Sequence, residues 1–352
     1  MHMRSIPFVV EKTLMKVQAP QASEPSPRIS VVVPTFRQPA LLRRCLDALI
    51  AQRIDPTAFE IIVVDDGGED GVRDLVQGIA AWIRSPQVRY LRALHGQGPA
   101  AACNRGWRVG RGALIAFTDD DAVPEPDWLM CGARAFESNR HWVALSGRVV
   151  VPLANLPRPP RNHQRATQGL ESAEFVTANA FVWRTALEAV GGFDERFTRA
   201  WREGSDLQFR LLALGGAVGH CPEARVMHPV RAEPWRASLR QQRNTYFDAL
   251  LYKKHPRLYR QRIRRIPPWD YYLIVAFAAA APLLWAADSG HLAEAGVLVA
   301  VALVARLAWL RLRRTDRSLR HLLEMLATSA VIPFLSVYWR LRGALRFRVL
   351  FL

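Results

Sequence analysis

The sequence predicts an α/β domain, built on a mostly parallel sheet with helices on both faces, followed by helices that associate with a membrane. Short apolar runs alternate with amphipathic segments over the first 230 residues, as strands and crossover helices do in such folds. From about Tyr271 onward Leu, Ala, Val and aromatic residues dominate instead. A chain of 352 residues is long enough to hold both parts.

Three apolar runs are predicted to be buried strands, at Ile29–Val33, Glu60–Val64 and Ala113–Thr118. Amphipathic helices are predicted at Ala40–Gln52 and Gly98–Val109, so that the strands are joined by crossover connections. The carboxyl ends of parallel strands meet at one edge of the sheet, and ligands of such folds bind there. Polar residues that directly follow these strands are therefore candidates for a site.

The predicted domain order has four parts. A flexible segment at 1–28 precedes the α/β domain at 29–232, and a basic juxtamembrane segment at 233–268 leads into a membrane region at 269–352. The first segment lacks a long apolar core before a cleavage site, so we do not expect a secretory signal.

Two late segments, Tyr271–Ala287 and Leu292–Leu310, have about the length that a helix needs to cross the hydrocarbon of a bilayer. Lys and Arg flank the pair but are absent from the short connection, which predicts a multi-pass protein of the cytoplasmic (inner) membrane with its large domain in the cytoplasm. A third stretch, 322–346, contains Pro333 and is predicted to lie in the interface or to re-enter. The alternative, a soluble helical domain, is disfavoured because core helices are seldom apolar on every face.

The formal net charge is +17, and much of the excess lies in Arg231–Arg265 and Arg306–Arg348, beside the hydrophobic segments. This location predicts attraction to anionic membrane lipids. We expect no nucleic acid partner, because no nucleic-acid-binding motif accompanies the charge. The four cysteines form no CxxC pair, so reduced, structural cysteines are expected.

Three consecutive carboxylates, Asp119, Asp120 and Asp121, directly follow the third predicted strand. Like charges packed side by side repel one another unless a cation holds them, so the triplet predicts a site for Mg²⁺ or Mn²⁺. Such ions take their remaining oxygen ligands from water and from phosphates, which indicates a nucleotide diphosphate ligand. A solvated acidic turn is the alternative.

Six short motifs occur in a fixed order within Ile29–Pro229. They are Val31–Phe36, Val63–Gly67, Asn104–Gly106, Phe117–Asp121, Gly191–Asp194 and Asp206–Arg210. Together they resemble the family 2 glycosyltransferases with the GT-A fold. One such motif occurs by chance, whereas six in register do so rarely. The resemblance implies transfer of a sugar from a nucleotide diphosphate to an acceptor hydroxyl.

The resemblance also implies roles for residues at the sheet edge. Pro34, Thr35 and Phe36 would line the nucleotide pocket, and Asp65 would accept hydrogen bonds from the base. A strand-end turn at Pro34 and Thr35, and a tight Asp-Gly turn after Asp65, are the alternatives.

Metal binding is implied for three residues. Asp119 would lie near the ribose and the metal, and Asp121 would bind the ion that bridges the diphosphate. His228 would be a further ligand, since imidazole is a tolerable ligand for Mn²⁺ but a poor one for Mg²⁺. A structural role for His228 is the alternative. Arg240 and Arg243 fit a basic interfacial helix better than a pyrophosphate site.

Inverting transfer needs a carboxylate that takes the proton from the acceptor hydroxyl. The family has a Glu-Asp pair here, but in this chain Glu203 is followed by Gly204. We predict Glu203 as the base and Asp206 as the second candidate, although the charge of Asp206 would also favour a helix N-terminus. Asn179 and Trp201 are predicted to contact the donor or acceptor sugar, and a buried structural Trp201 is equally consistent with the sequence.

These observations predict a membrane-bound, metal-dependent inverting glycosyltransferase that acts on a lipid-linked or saccharide acceptor. Two alternatives come from other classes. The glycine after Glu203 leaves room for a non-catalytic membrane scaffold with a sugar-nucleotide-binding domain. A nucleotidyltransferase would share the architecture, but it would need a glycine-rich phosphate loop where this chain has Pro34–Pro39.

Overall fold

The computed structural model describes residues 27–93, 97–153, 164, 167–230, 236–313, 315–316 and 318–352. The predicted flexible segment, 1–28, lies outside these residues except for its last two positions, and so do 231–235 at the start of the basic stretch. The chain divides into two compact units, one of 1–152 with 170–229 and one of 153–169 with 230–352. The predicted domain boundaries remain predictions.

Eight strands form one sheet in the first unit. They are β1 (Ile29–Thr35), β2 (Phe59–Asp65), β3 (Gln87–Arg92), β4 (Leu114–Phe117), β5 (Val123–Pro124), β6 (Trp142–Val150), β7 (Ala180–Trp183) and β8 (Ala217–Met227). The spatial order is β3-β2-β1-β4-β7-β6-β8-β5. The half from β3 to β4 is parallel, and β7 then pairs antiparallel with both β4 and β6. The predicted α/β class is confirmed, with a mixed sheet beyond β4.

Helices cover both faces of this sheet. They are α1 (Pro39–Ile50), α2 (Asp70–Trp82), α3 (Pro99–Val109), α4 (Trp128–Ser138), α5 (Arg184–Val190) and α6 (Glu203–Ala213). Alternate residues of β1 face opposite ways: Val31 and Val33 belong to a core with α1, α2 and α4, and Val32 belongs to a core with α3, α5 and α6. A strand that is buried on both faces explains why β1 is a continuous apolar run.

The parallel pairing brings the ends of three strands together. Thr35 at the end of β1 pairs with Asp65 at the end of β2, and Val32 pairs with Phe117 at the end of β4. The polar residues that follow these strands therefore lie along one sheet edge, as the sequence predicts.

The second unit is helical within the part of the chain that the structure describes. Its main helices are α7 (Ala237–Gln241), α8 (Thr245–Lys254), α9 (Trp269–Ala286), α10 (Gly290–Leu312) and α11 (Leu319–Phe347). Three of them, α9, α10 and α11, are long and apolar enough to cross a membrane. The stretch at 322–346, predicted as interfacial or re-entrant, belongs to one continuous helix of 29 residues that contains Pro333.

Polar side chains connect the helices of this unit. The Arg311 guanidinium in α10 donates to the hydroxyls of Thr328 (2.8 Å) and Ser329 (2.7 Å) in α11, and to Ser238 (3.1 Å) in α7. The Arg243 guanidinium lies over the Trp339 ring, 5.8 Å from its centroid. This contact supports a structural role for Arg243.

Candidate active site

Asp120, the member of the aspartate triplet without a role of its own in the sequence analysis, connects two strands at the sheet edge. Its Oδ2 accepts a hydrogen bond of 2.7 Å from the Thr35 hydroxyl, and the Phe36 amide nitrogen lies 3.4 Å from the same oxygen. The Thr35 side chain is buried, whereas Phe36 is 52% exposed. The end of β1 is therefore held against the aspartate triplet, and Phe36 is the part of the predicted nucleotide pocket that faces outward.

Asp119, Asp121 and His228 form a group that we call the acidic cluster, whose ligand atoms all lie within 4.8 Å of one another. The His228 Nε2 atom is 3.4 Å from Asp121 Oδ1 and 3.9 Å from Asp119 Oδ2. The strands β5 and β8 pair antiparallel, with Val123 opposite Met227. This pairing brings His228 close to Asp119 and Asp121, although more than 100 residues of sequence separate them. The donor set of two carboxylates and one imidazole fits a divalent cation, and the imidazole favours Mn²⁺ over Mg²⁺.

Asp65 holds the turn that follows β2. Its Oδ1 accepts hydrogen bonds from the amides of Gly67 (2.8 Å) and Gly68 (2.9 Å), and its Oδ2 accepts one from the Tyr90 hydroxyl (3.0 Å). Burial, with a further contribution from the Asp65 carboxylate, raises the pKa of Tyr90 to about 12, so this hydroxyl remains a donor. The tight Asp-Gly turn is present, and a contact of Asp65 with a nucleotide base remains a prediction.

Glu203 is the first residue of α6, and its side chain is only 7% exposed. Its Oε2 has no hydrogen-bond partner among the residues that the structure describes. Burial raises the pKa of Glu203 to about 7, although the amides of Glu203 and Trp201 and the charge of Arg202 act in the opposite direction. A buried carboxylate with one oxygen free of hydrogen bonds among the described residues and a pKa near neutrality suits a general base.

Gly204 lies where the resembling family has the second acid of the pair. A Cβ atom at this position would lie 3.2 Å from Thr177 Cγ2 and 3.8 Å from the Phe175 carbonyl oxygen. The first contact is tighter than most in proteins, so a side chain here would require Thr177 to shift by a few tenths of an ångström. Thr177 thus packs closely against the position where the family has its second acid.

Asp206 is completely buried and lies one turn along α6 from Arg210. The Arg210 Nε atom donates to Asp206 Oδ2 at 2.8 Å, and its Nη1 donates to the carbonyl oxygens of Val190 and Gly192. This network ties α6 to the end of α5. The contacts favour the structural alternative for Asp206, while its catalytic role remains a prediction.

We expect Asp206→Asn to lower the melting temperature by about 5–10 °C, because it leaves the partly buried Arg210 without its counter-charge at a cost of about 3 kcal/mol. Turnover per folded molecule should stay within about threefold of the parent. The matched control is Asp47→Asn, which breaks the exposed Arg43–Asp47 pair of the same spacing and should change stability by less than about 0.5 kcal/mol. Unchanged melting with lost turnover would instead assign Asp206 to catalysis.

The two predicted sugar contacts differ in their surroundings. Asn179 is completely buried, and its Oδ1 accepts from Trp128 Nε1 (2.8 Å). Its Nδ2 donates to the carbonyl oxygens of Arg148 (3.0 Å) and Ala224 (2.8 Å), so it connects β6, β8 and α4. Trp201 is partly exposed, with the Arg202 guanidinium 4.5 Å from its ring centroid. Contacts of either residue with sugar remain predictions.

Two protein-family models match the chain. The model described as Glycosyl transferase family 2 matches residues 30–191, and that described as Glycosyl transferase family group 2 matches residues 114–341, more than half of the chain. The chain belongs to glycosyltransferase family 2. The resemblance carried by the six motifs is thereby confirmed, and the predicted enzyme class with it. Membership of this family argues against the nucleotidyltransferase alternative.

Two curated relatives show the extent of similarity within the family. Glycosyltransferase AglE of Haloferax volcanii is 25% identical over 214 residues, which cover 58% of this chain and 68% of the relative. The GalNAc(5)-diNAcBac-PP-undecaprenol beta-1,3-glucosyltransferase of Campylobacter jejuni is 33% identical over 108 residues, 30% of this glycosyltransferase and 32% of that one. The second match therefore covers about a third of either protein.

A solved structure confirms the fold. The mannosyltransferase PcManGT from Pyrobaculum calidifontis, in complex with GDP-Man and Mn²⁺, superposes with a TM-score of 0.54 at 20% identity. The alignment covers 96% of this family 2 glycosyltransferase and 93% of that chain. The predicted GT-A fold, followed by helices apolar enough to cross a membrane, is confirmed.

Proposed function

We propose that this family 2 glycosyltransferase is a metal-dependent inverting enzyme, with Glu203 as its catalytic base. The observation that carries the proposal is the buried carboxylate of Glu203, whose Oε2 has no partner among the described residues and whose pKa is near 7. Burial raises the pKa of the Cys103 thiol in α3, and the charges of Asp119 and Glu203 raise it further. The charges of Asp119 and Glu203 therefore both act on this one buried thiol.

Glu203 takes the proton of the acceptor hydroxyl while the acceptor oxygen bonds to the anomeric carbon of the donor. The bond from that carbon to the diphosphate oxygen breaks, and the nucleotide diphosphate leaves on the opposite side, so the configuration inverts. Asp119, Asp121 and His228 would hold a divalent cation, which when bound offsets the negative charge of the diphosphate. Thr35 and Asp120 keep the strand ends in place around the donor.

A nucleotide sugar is the donor in this proposal. PcManGT, which shares the fold, is in complex with GDP-Man and Mn²⁺. In this chain the acidic cluster includes the imidazole of His228, which suits Mn²⁺ better than Mg²⁺. Mg²⁺ is the other candidate for the bound ion. Pro34, Phe36 and Asp65 would line the donor pocket.

We propose a lipid-linked acceptor, with a saccharide acceptor as the other candidate. Support comes from α9, α10 and α11, which are apolar enough to cross a membrane, and from the name of the C. jejuni relative, which includes a PP-undecaprenol acceptor. Anchoring raises the local concentration of a substrate that stays in the bilayer. The enzyme would be a multi-pass protein of the inner membrane, with its catalytic unit in the cytoplasm and its basic segments against anionic lipids.

The pH dependence of kcat/KM should report the pKa of Glu203. The base form is the carboxylate, and because burial raises its pKa from 4.5 to about 7, this form is present above pH 7 and lost as the pH falls. We expect kcat/KM at pH 6 to be about one-tenth of its value on the alkaline plateau. A profile that stays flat down to pH 5 would contradict the assignment.

A screen of nucleotide sugars with purified full-length protein tests the proposed function. A donor that raises the melting temperature in Mn²⁺ or Mg²⁺ should then support transfer to membrane lipid extracts or to saccharides. Donor binding with neither transfer nor donor hydrolysis would favour the scaffold alternative. Failure of every donor to stabilise the protein would count against the proposal as a whole.

A further inference from the structure

The helical unit contains a group of buried hydrogen-bond donors that we call the arginine cluster, Arg260, Tyr272 and Arg340. The guanidinium of Arg340, which belongs to α11, lies 5.3 Å from the Phe351 ring centroid. The Arg260 guanidinium lies 4.9 Å from the Tyr252 ring centroid, and the Tyr252 and Phe351 centroids are 5.2 Å apart. Two guanidinium groups are thus held on neighbouring aromatic rings.

Several donors of the arginine cluster are unsatisfied. Arg340 is 2% exposed, and its Nη2 donates to Asp248 Oδ2 at 3.3 Å, but its Nε and Nη1 have no partner among the described residues. The same holds for Arg260 Nη1 and for the hydroxyl of Tyr272. Burial of such donors is unfavourable unless an acceptor pairs with them, most of all when they carry a charge.

The charge around the cluster is positive. Arg340 and Arg260 each carry a positive charge, and Asp248 is the carboxylate in contact with Arg340. A guanidinium presents a fork of N–H donors that matches the oxygens of a phosphate. An anion with several acceptor oxygens would accept hydrogen bonds from the unpaired donors and would also balance the positive charge.

We propose that the arginine cluster binds a phosphate group, supplied either by a lipid headgroup or by a soluble phosphate compound. A lipid source is consistent with α9 and α11, which carry Tyr272 and Arg340 and are apolar enough to enter a membrane. The proposal differs from a general attraction of basic segments to lipid, because a buried site saturates and is little screened by salt. It does not depend on the transferase activity proposed above.

The test measures thermal stabilisation of the full-length, delipidated protein in dodecyl maltoside. One arm adds sodium phosphate, one adds dioleoylphosphatidylglycerol, and one adds dioleoylglycerol, which lacks phosphate. We expect saturable stabilisation by one or both of the phosphate compounds and none by dioleoylglycerol. Stabilisation by phosphatidylglycerol alone would assign the lipid headgroup as the source, and stabilisation by both would assign the phosphate group itself.

Three variants locate the site. Arg260→Gln and Tyr272→Phe should each raise the half-saturating concentration about tenfold, as expected for one lost charge-assisted hydrogen bond. Arg340→Lys keeps the charge but loses the fork, and should weaken binding to a similar extent. The matched control is Arg313→Gln, which removes an exposed arginine that lies over Trp309 in the same unit and should leave binding unchanged.

Two outcomes would overturn the proposal. One is the absence of stabilisation by either phosphate compound. The other is that Arg260→Gln, Tyr272→Phe and Arg313→Gln change the half-saturating concentration equally and that moderate salt abolishes the stabilisation. That result would indicate diffuse attraction between charges. Because the test measures phosphate binding, its result does not depend on whether the proposed transferase function is correct.

Discussion

Glu203→Gln is expected to reduce transfer about a thousandfold while leaving donor affinity within about threefold. The amide has nearly the same size as the carboxylate but cannot accept the proton of the acceptor hydroxyl, and general base catalysis contributes about 10²–10⁴ in rate. Glu203 makes few contacts that glutamine would lose, since its Oε2 has no partner among the described residues. Turnover in the presence of saturating donor, with donor affinity measured separately, checks this expectation.

The matched control is Glu188→Gln, which makes the same change on an exposed position of α5. It should leave kcat and KM unchanged. The acidic limb of the pH profile should also disappear in Glu203→Gln, since the group that titrates near pH 7 is gone. Full turnover in the Glu203 variant would remove this residue from the mechanism.

Asp121→Asn is the second substitution with a large expected effect, a loss of activity of about a thousandfold. It neutralises a carboxylate only 6% exposed and 3.4 Å from His228, and so removes much of the negative charge that would hold the cation. A cation stabilises the charge of the departing diphosphate by several kcal/mol, and loss of that stabilisation corresponds to about a thousandfold in rate. Binding of Mn²⁺, followed by electron paramagnetic resonance of the full-length protein, should weaken in parallel.

Asp127→Asn is the control for this change. Asp127 forms an exposed pair with Arg53 at 3.4 Å, just before α4, and its loss should affect neither Mn²⁺ binding nor transfer. If Asp121→Asn bound Mn²⁺ as tightly as the parent, the acidic cluster would not be the metal site.

Strong local patterns made part of the fold predictable. The strands β1 and β2 are buried on both faces and so appear as continuous apolar runs, and the predicted helix at 40–52 is observed at 39–50. The strand β8 has no such pattern, because it is partly exposed and includes Gly219, Pro222 and Glu223. Its pairing with β6 contains register shifts that no local sequence pattern predicts.

In the candidate site, too, residues with a strong local pattern could be predicted and residues that depend on strand pairing could not. Asp119 and Asp121 follow an obvious strand, so their chemistry can be read from the sequence. The role of Asp120 depends on the distance between two strand ends, and that of Tyr90 depends on the pairing of β3 with β2. The proximity of His228 to Asp121 depends on β5, a strand of two residues that is too short to predict. Contacts across the sheet are set by topology rather than by neighbours in sequence.

The packing of Thr177 against Gly204 bears on how active enzymes of this family can be recognised. Because a Cβ at this position would lie 3.2 Å from the Thr177 methyl group, the glycine beside Glu203 is matched to its neighbour in this chain. A motif search that demands both acids would therefore miss this chain, although the carboxylate that we propose as the base is present.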